Sequence, residues 1–250
     1  MMKNQANGCL LQIEYLSKSF GGLMAVNQLA LSLEKGQILG IIGPNGSGKT
    51  TLFNLVTGFI KPDTGTIKFA GEEISGKRPS YVCKTGISRT FQIVKPFPQL
   101  TALENVTAGK SFGRQPSKNL RRARSEAREI LEFVGLSTKE QTAAERLNLI
   151  DRKRLEIARA VATRPKLLLL DEVFAGLNPA EIEQALELVV KIKNMGMTLM
   201  IVEHLMKIIL GVSNRVIVLN YGMKIFDGSP PAAMADHNVI EAYLGEDFHA

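Results

Sequence analysis

The sequence predicts an α/β protein in which a mixed sheet with flanking helices and an antiparallel β edge is interrupted by a helical insert. Three observations predict it. Short apolar runs at residues 37–42, 167–170 and 197–202 have the length and aliphatic content of strands buried on both faces. Residues 10–16 and 24–33 alternate more loosely, as half-buried antiparallel strands do. Residues 101–164, between the first buried run and the other two, carry helical periodicity and few strand formers.

Residues 10–16 open as a strand, Lys18 to Leu23 make a turn, and residues 24–33 return as a second strand. Phe20 sits in that turn and, taken alone, reads as a core or turn aromatic. The buried strand at 37–42 runs into Gly43-Pro44-Asn45-Gly46-Ser47-Gly48-Lys49-Thr50-Thr51, and residues 50–56 continue with helical spacing. This strand–loop–helix fits G-x-x-x-x-G-K-[ST], a phosphate-binding loop. Its glycines let the backbone curl so that successive N–H groups face phosphate oxygens, and the helix start adds its positive end. Lys49 is placed to reach the β- and γ-phosphates and the Thr50 hydroxyl to ligate Mg²⁺, so the loop reads as a nucleotide site. A Pro/Gly-rich connection at 58–65 leads to an edge-type strand at 66–71.

From Thr90 the composition turns helical, with Thr101 ahead of Ala102-Leu103-Glu104 as a helix-start signal. Strand character resumes at 166–172, where Leu169-Leu170 run into Asp171-Glu172. Four apolar residues ending in a carboxylate describe a buried strand that delivers Asp171 to its tip. One carboxylate acting through the water shell is enough to help hold Mg²⁺ beside phosphates. Glu172, one residue on, can polarise an attacking water as general base. An amphipathic helix at 179–194 and the buried strand at 197–202 follow, and 214–219 with 223–226 finish the sheet. There is no internal repeat and no low-complexity tract. The organisation expected is a nucleotide-binding core in two parts, 1–91 and 165–250, around a helical subdomain at 92–164.

The 250 residues, 45% hydrophobic and 22% charged, suit a globular chain holding one large domain or a core with an insert. No apolar run reaches the length of about eighteen residues needed to span a membrane. The N-terminus lacks the apolar stretch of a signal peptide, so the chain is expected in the cytosol. Cys9 and Cys83 are the only cysteines, and neither lies in a metal-ligand cluster. The net charge of +7 concentrates in residues 114–128 and 146–164. The first block reads as a solvated helix face, with a weak attraction to membrane headgroups as the sharper reading. No aromatics interleave with these charges, so nucleic acid is not an expected partner.

Four features in this order resemble the ATPase subunit of ATP-binding cassette (ABC) transporters, and so the P-loop NTPase fold. They are the phosphate loop, Thr90-Phe91-Gln92, Leu169-Leu170-Asp171-Glu172 after the helical stretch, and Val202-Glu203-His204. The resemblance covers nearly the whole chain. It implies that Phe20 stacks on adenine, that Gln92 senses Mg²⁺ and the lytic water, and that His204 contacts the γ-phosphate of ATP. Gly86-Ile87-Ser88-Arg89-Thr90-Phe91-Gln92, Leu155-Glu156-Ile157-Ala158-Arg159-Ala160 and Ala175-Gly176-Leu177-Asn178-Pro179 are similar to the branched-chain amino-acid importer subgroup. So are Val218-Leu219-Asn220-Tyr221-Gly222 and Glu241-Ala242-Tyr243-Leu244-Gly245-Glu246.

One stretch departs from the family. Where the signature L-S-G-G-Q belongs, this chain has Leu147-Asn148-Leu149-Ile150-Asp151. In the family, the signature offers a hydroxyl, glycine N–H groups and a helix N-terminus to ATP held by the other subunit. Ile150, being β-branched, suits neither positive φ nor close approach to phosphate, and Asp151 adds negative charge near an anion. Asn148 can still donate one hydrogen bond. Val173 stands where proline usually follows Asp-Glu, a change from which little is expected.

The resemblance therefore implies an ATP-hydrolysing subunit at the cytoplasmic face of the membrane. It would dimerise head-to-tail with a second ABC ATPase subunit, act on transmembrane permease subunits, and indirectly serve a solute-binding protein. Homo- and heterodimers are both open, and the altered signature favours a heterodimer. The segment Ile93-Val94-Lys95-Pro96-Phe97-Pro98-Gln99-Leu100 lies, by resemblance, where a permease helix docks, and reads equally as ordinary loop packing. The alternatives are a nucleotide-binding regulatory subunit of an asymmetric pair and a soluble ABC ATPase uncoupled from transport. A small-molecule kinase is disfavoured by the long gap between Lys49 and Asp171 and by the glutamine and histidine switches.

Overall fold

A computed structural model describes residues 8–91, 96–203 and 206–247, which divide into two units. One unit joins the described residues of Met1–Pro79 to those of Thr198–Ala250, and the other is formed by those of Ser80–Met197.

The first unit opens on a hairpin longer than the alternation suggests. Strand β1 spans Cys9–Phe20 and β2 spans Leu23–Glu34. The turn expected over residues 18–23 shrinks to Gly21-Gly22, and Lys18, Ser19 and Phe20 stay in the ladder opposite Val26, Met24 and Leu23. Register shifts interrupt the pairing, and Tyr15 and Gln28 take left-handed backbone between them. Each irregularity resets the inward-facing phase, which is why the sequence pattern reads loosely.

Strand β3 (Ile38–Ile42), every residue of it buried, leads through the glycine-rich loop into helix α1 (Lys49–Val56). Strand β4 (Thr64–Phe69) pairs antiparallel with β1 and, through the left-handed Ala70-Gly71 turn, with the two-residue β5 (Glu72–Glu73). The sheet order β2-β1-β4-β5 moves β4 off the edge expected for it. Two acidic residues close that edge, too short a strand for sequence patterning to register.

The second unit begins one residue into α2 (Pro79–Thr85) and continues with β6 (Ile87–Arg89). Helices α3 (Ala102–Lys110), α4 (Leu120–Phe133) and α5 (Leu149–Ala162) pack on one another, with single 3-10 turns at Ser137–Lys139 and Ala144–Arg146. Thr101 caps α3 as expected: it accepts from the Glu104 N–H, and Glu104 reaches back to the Thr101 N–H. Buried Lys110 of α3 pairs with Glu126 of α4 at 2.6 Å, and Arg122 and Arg164 join the same carboxylate. Arg121, Arg124 and Arg128 line the exposed side of α4, in keeping with a solvated face. Strand β7 (Leu167–Asp171), wholly buried, pairs parallel with β6, and α6 (Pro179–Asn194) follows with an Asn178–Glu181 capping box.

The chain then returns to the first unit. Strand β8 (Thr198–Val202) lies parallel to β3 on one side, β9 (Arg215–Asn220) lies parallel to it on the other, and β10 (Met223–Gly228) pairs antiparallel with β9. The short helix α7 (Met206–Val212) precedes β9, and α8 (Pro230–Ala235) and α9 (His237–Asp247) follow β10. Among the described residues, no helix is long and apolar enough to cross a membrane.

Candidate active site

In the first unit, β3 delivers its chain end to the loop Gly43-Pro44-Asn45-Gly46-Ser47-Gly48, and α1 carries Lys49, Thr50 and Thr51 away from it. Lys49 is buried, and its ammonium donates to the carbonyls of Gly43 and Pro44 at 2.7 Å each and to Ser47 Oγ at 3.3 Å. A cation fixed over the loop's own carbonyls shapes the curl from inside. No side-chain cap is made at the start of α1, whose positive end follows directly on the loop. Asn45, Gly46 and Thr50 are exposed.

Neighbours that the motif does not reveal hold the loop in place. The Gly222 N–H donates to the Ser47 carbonyl at 3.1 Å, and the Asn27 N–H donates to the Gly222 carbonyl at 2.9 Å. Gly48 has φ +102, and a Cβ there would stand 2.3 Å from the Ala25 carbonyl oxygen. Only glycine satisfies both conditions. Ala25 lies two residues beyond Leu23, the ladder partner of Phe20, so the hairpin that props the loop also carries that aromatic. Phe20 is half exposed, and the Lys18 ammonium lies 5.5 Å from its ring centroid.

In the second unit, β7 buries its four leucines and ends at Asp171, as the pattern requires. The Asp171 N–H donates to Thr90 Oγ at 3.0 Å, and the Arg89 guanidinium donates to its carboxylate at 2.5 Å, both side chains buried. Glu172 is nearly buried and holds left-handed backbone, φ 49, rare for a residue with a side chain. Lys153 of α5 donates to the Glu172 carbonyl at 3.2 Å. Glu156, one turn further along α5, accepts the Phe91 N–H at 2.7 Å. Burial pushes the Glu156 carboxyl up to about 7, against the pull of the Phe91 N–H, Arg159 and Lys153.

The signature segment begins α5. Leu147 is buried, and Asn148 is the N-cap, its side-chain oxygen accepting the Asp151 N–H at 2.9 Å. Two expectations change here. Leu149, Ile150 and Asp151 form the first helical turn, so Ile150 needs no positive φ and its branching costs little. Asp151 is buried in an ion pair with Lys139, which compensates its charge. Leu149 remains exposed.

Gln92 and His204 lie outside the described residues. Arg89, Lys153 and Glu156 are the residues that motif reading passed over. All three stand inside or beside the family-like strings, and their relevance follows from partners distant in sequence.

In the first unit the donors suit a nucleotide, with curled backbone amides and an ammonium for phosphate and the hard hydroxyl oxygen of Thr50 for a cation; in the second, Asp171 offers a carboxylate of the same hard kind. Known proteins resemble this chain along most of its length. The sequence model of the ABC transporter family matches residues 26–175. That of the branched-chain amino acid ATP-binding cassette transporters matches 223–249. The chain is 40% identical to the high-affinity branched-chain amino acid transport ATP-binding protein LivG of Salmonella typhimurium, covering 95% of this chain and 98% of LivG. To BraF of Pseudomonas aeruginosa, a protein described in the same words, it is 39% identical over the same shares. The ADP conformation of MJ1267, an ATP-binding cassette of an ABC transporter, matches with TM-score 0.87 at 34% identity, covering 95% of this chain and 99% of that one. A dimeric post-hydrolysis state of the cassette MJ0796, bound to ADP and Pi, matches with TM-score 0.79 at 25% identity, covering 88% and 99%. The chain belongs to the ABC transporter family, as one of its ATP-binding cassette ATPases.

Proposed function

We propose that this ATPase powers import of branched-chain or similar amino acids through separate permease subunits, from the cytoplasmic face of the membrane. One observation carries the reading: the same chain matches the general cassette model over 26–175 and the branched-chain model over 223–249. LivG and BraF, similar along their whole length, are transport proteins for those solutes by name. Lys49 and the loop amides would hold the β- and γ-phosphates of ATP, with Phe20 against the adenine. Thr50 and Asp171, helped by Gln92, would hold Mg²⁺, which when bound neutralises phosphate charge. Glu172 would take the proton of the attacking water while His204 steadies the γ-phosphate. The residues at 92–164 would form the helical subdomain that meets the permease, and a solute-binding protein would deliver the solute.

The cassette MJ0796 is seen as a dimer, which supports a paired assembly here. In a head-to-tail pair, each site would meet the other chain's signature. Leu149 and Ile150 put side chains where glycine amides would approach phosphate, so a partner with an intact signature is favoured over a second copy. Loss of one positioned donor costs about 3 kcal/mol, roughly a hundredfold in rate. The chain alone is thus expected to hydrolyse ATP at least about tenfold more slowly than when mixed with that partner. Equal rates at dimer-forming concentrations would remove the heterodimer preference.

The transport reading is tested in proteoliposomes holding the permease, the partner ATPase and the solute-binding protein. The parent chain should drive ATP-dependent leucine uptake. Glu172→Gln should bind ATP while hydrolysis at its site falls at least about a hundredfold, since it removes the base. Uptake that proceeds without this chain, or hydrolysis by Glu172→Gln at the parental rate, contradicts the assignment.

A further inference from the structure

Beyond the buried Asp151 of its first turn, helix α5 carries two charged side chains, Lys153 and Glu156, each only 7% exposed. Burying a charge is costly unless it is paired and hydrogen-bonded. The two stand three residues apart, on one side of the helix and with opposite charge, so they partly offset each other. Each is also committed to a backbone group outside α5: the Lys153 ammonium to the Glu172 carbonyl at 3.2 Å, and the Glu156 carboxylate to the Phe91 N–H at 2.7 Å. Arg159, three residues further on, lays its guanidinium 5.0 Å from the Phe97 ring centroid. One side of α5 therefore reaches three segments in turn.

The choice of partners is informative. An apolar pair would bury the helix equally well and more cheaply. Here the polar atoms hold the backbone of Glu172, which sits at φ 49 and needs outside support to stay there, and of Phe91, the residue before Gln92. The start of the same helix is the signature, capped by Asn148. A 14-residue hydrogen-bonded helix moves as one piece, so a shift at its start is passed to both backbone groups.

We propose that Lys153 and Glu156 are positioning residues for hydrolysis, which tie the signature helix to the Glu172 carbonyl and the Phe91 amide. The proposal rests on the reading of Glu172 as the base. Neither residue touches the reacting atoms. They set where the base and the segment entering Gln92 stand, and they link both to whatever seats on the start of α5.

Two measurements test this. Amide hydrogen exchange at Phe91 in the nucleotide-free chain should quicken at least about tenfold in Glu156→Ala and stay within about threefold in Glu156→Gln, whose amide oxygen still accepts. In ATP hydrolysis with the partner subunit, Glu156→Ala and Lys153→Met should each lower kcat at least about fivefold while KM and the ATP dissociation constant stay within about threefold. Glu156→Gln should keep kcat within about threefold of the parent. Glu156→Asp, one methylene short of Phe91, replaces the alanine variant if that variant does not fold. A parental kcat in both Glu156→Ala and Lys153→Met overturns the proposal, as does a loss confined to KM. So does Glu156→Gln slowing as much as Glu156→Ala. Glu172→Gln is assayed alongside: if it hydrolyses at the parental rate, the base assignment fails while the exchange result at Phe91 stands.

Discussion

Replacing Gly48 by alanine is expected to destabilise the nucleotide-free protein more than replacing Gly46, although both stand in the phosphate loop with positive φ. At Gly46, φ is +75 and a Cβ would meet nothing within 4 Å. Gly46→Ala therefore suffers only the left-handed backbone penalty, about 1–2 kcal/mol. At Gly48, φ is +102 and the Cβ would lie 2.3 Å from the Ala25 carbonyl oxygen and 3.5 Å from its carbon. The oxygen is more than 1 Å inside ordinary contact, and it belongs to the backbone of β2, which cannot rotate away as a side chain would. Overpacking of this kind adds about 1–3 kcal/mol. In a chain of this size each kcal/mol moves Tm by about 2–4 °C. The two variants should thus differ by about 2–12 °C, with Gly48→Ala the lower. The chain has no tryptophan, so melting is best followed by calorimetry together with far-UV circular dichroism. Agreement between the two probes also shows whether both units melt in one transition. If Gly46→Ala melts at or below Gly48→Ala, the contact with Ala25 does not set the loop, and the reasoning fails.

Three further outcomes are expected. Lys49→Ala removes the ammonium that bonds Gly43 and Pro44 and should weaken ATP binding by at least about thirtyfold, or 2 kcal/mol, in a direct titration; an unchanged affinity contradicts the assigned role. Asn148→Ala loses the α5 cap and should cost about 1 kcal/mol, whereas Asn148→Ser should stay within a few tenths, so equal losses would show that the cap bond contributes nothing. Burial raises the Glu156 carboxyl from its ordinary 4.5 to about 7 in the folded chain, so the folded state binds its proton more tightly than the unfolded one. Its favourable contribution is complete below about pH 4.5 and is lost as pH rises through about 7. The stability of Glu156→Gln relative to the parent should therefore increase between pH 5 and pH 8 by up to about 3 kcal/mol, and a flat difference would refute the shift.

The sequence alone determined the parts in which local chemistry and long-range packing demand the same thing. The stretches 38–42 and 167–170 are apolar on both faces, and a run of that length, bounded by a glycine-rich loop or a carboxylate, suits a buried strand. The phosphate loop and the helix after it could be read for the same reason, because glycine spacing and the following lysine are local requirements of one backbone curl. The start of α3 was legible through Thr101 and Glu104, which satisfy each other within a single turn. Tertiary structure decided whatever rests on a partner far along the chain. The hairpin kept Lys18, Ser19 and Phe20 because cross-strand pairing continued past the point where alternation failed. β4 left the edge because two acidic residues paired beyond it. Ile150 and Asp151 looked disruptive as a motif, yet Asn148 folds them into a helical turn and Lys139 compensates the carboxylate. Arg89 and Asp171, 82 residues apart, and Glu156 and Phe91, 65 apart, carry no spacing signal at all. Periodicity records how a segment meets its own neighbours, whereas a buried charge is assigned its partner only when two segments fold together.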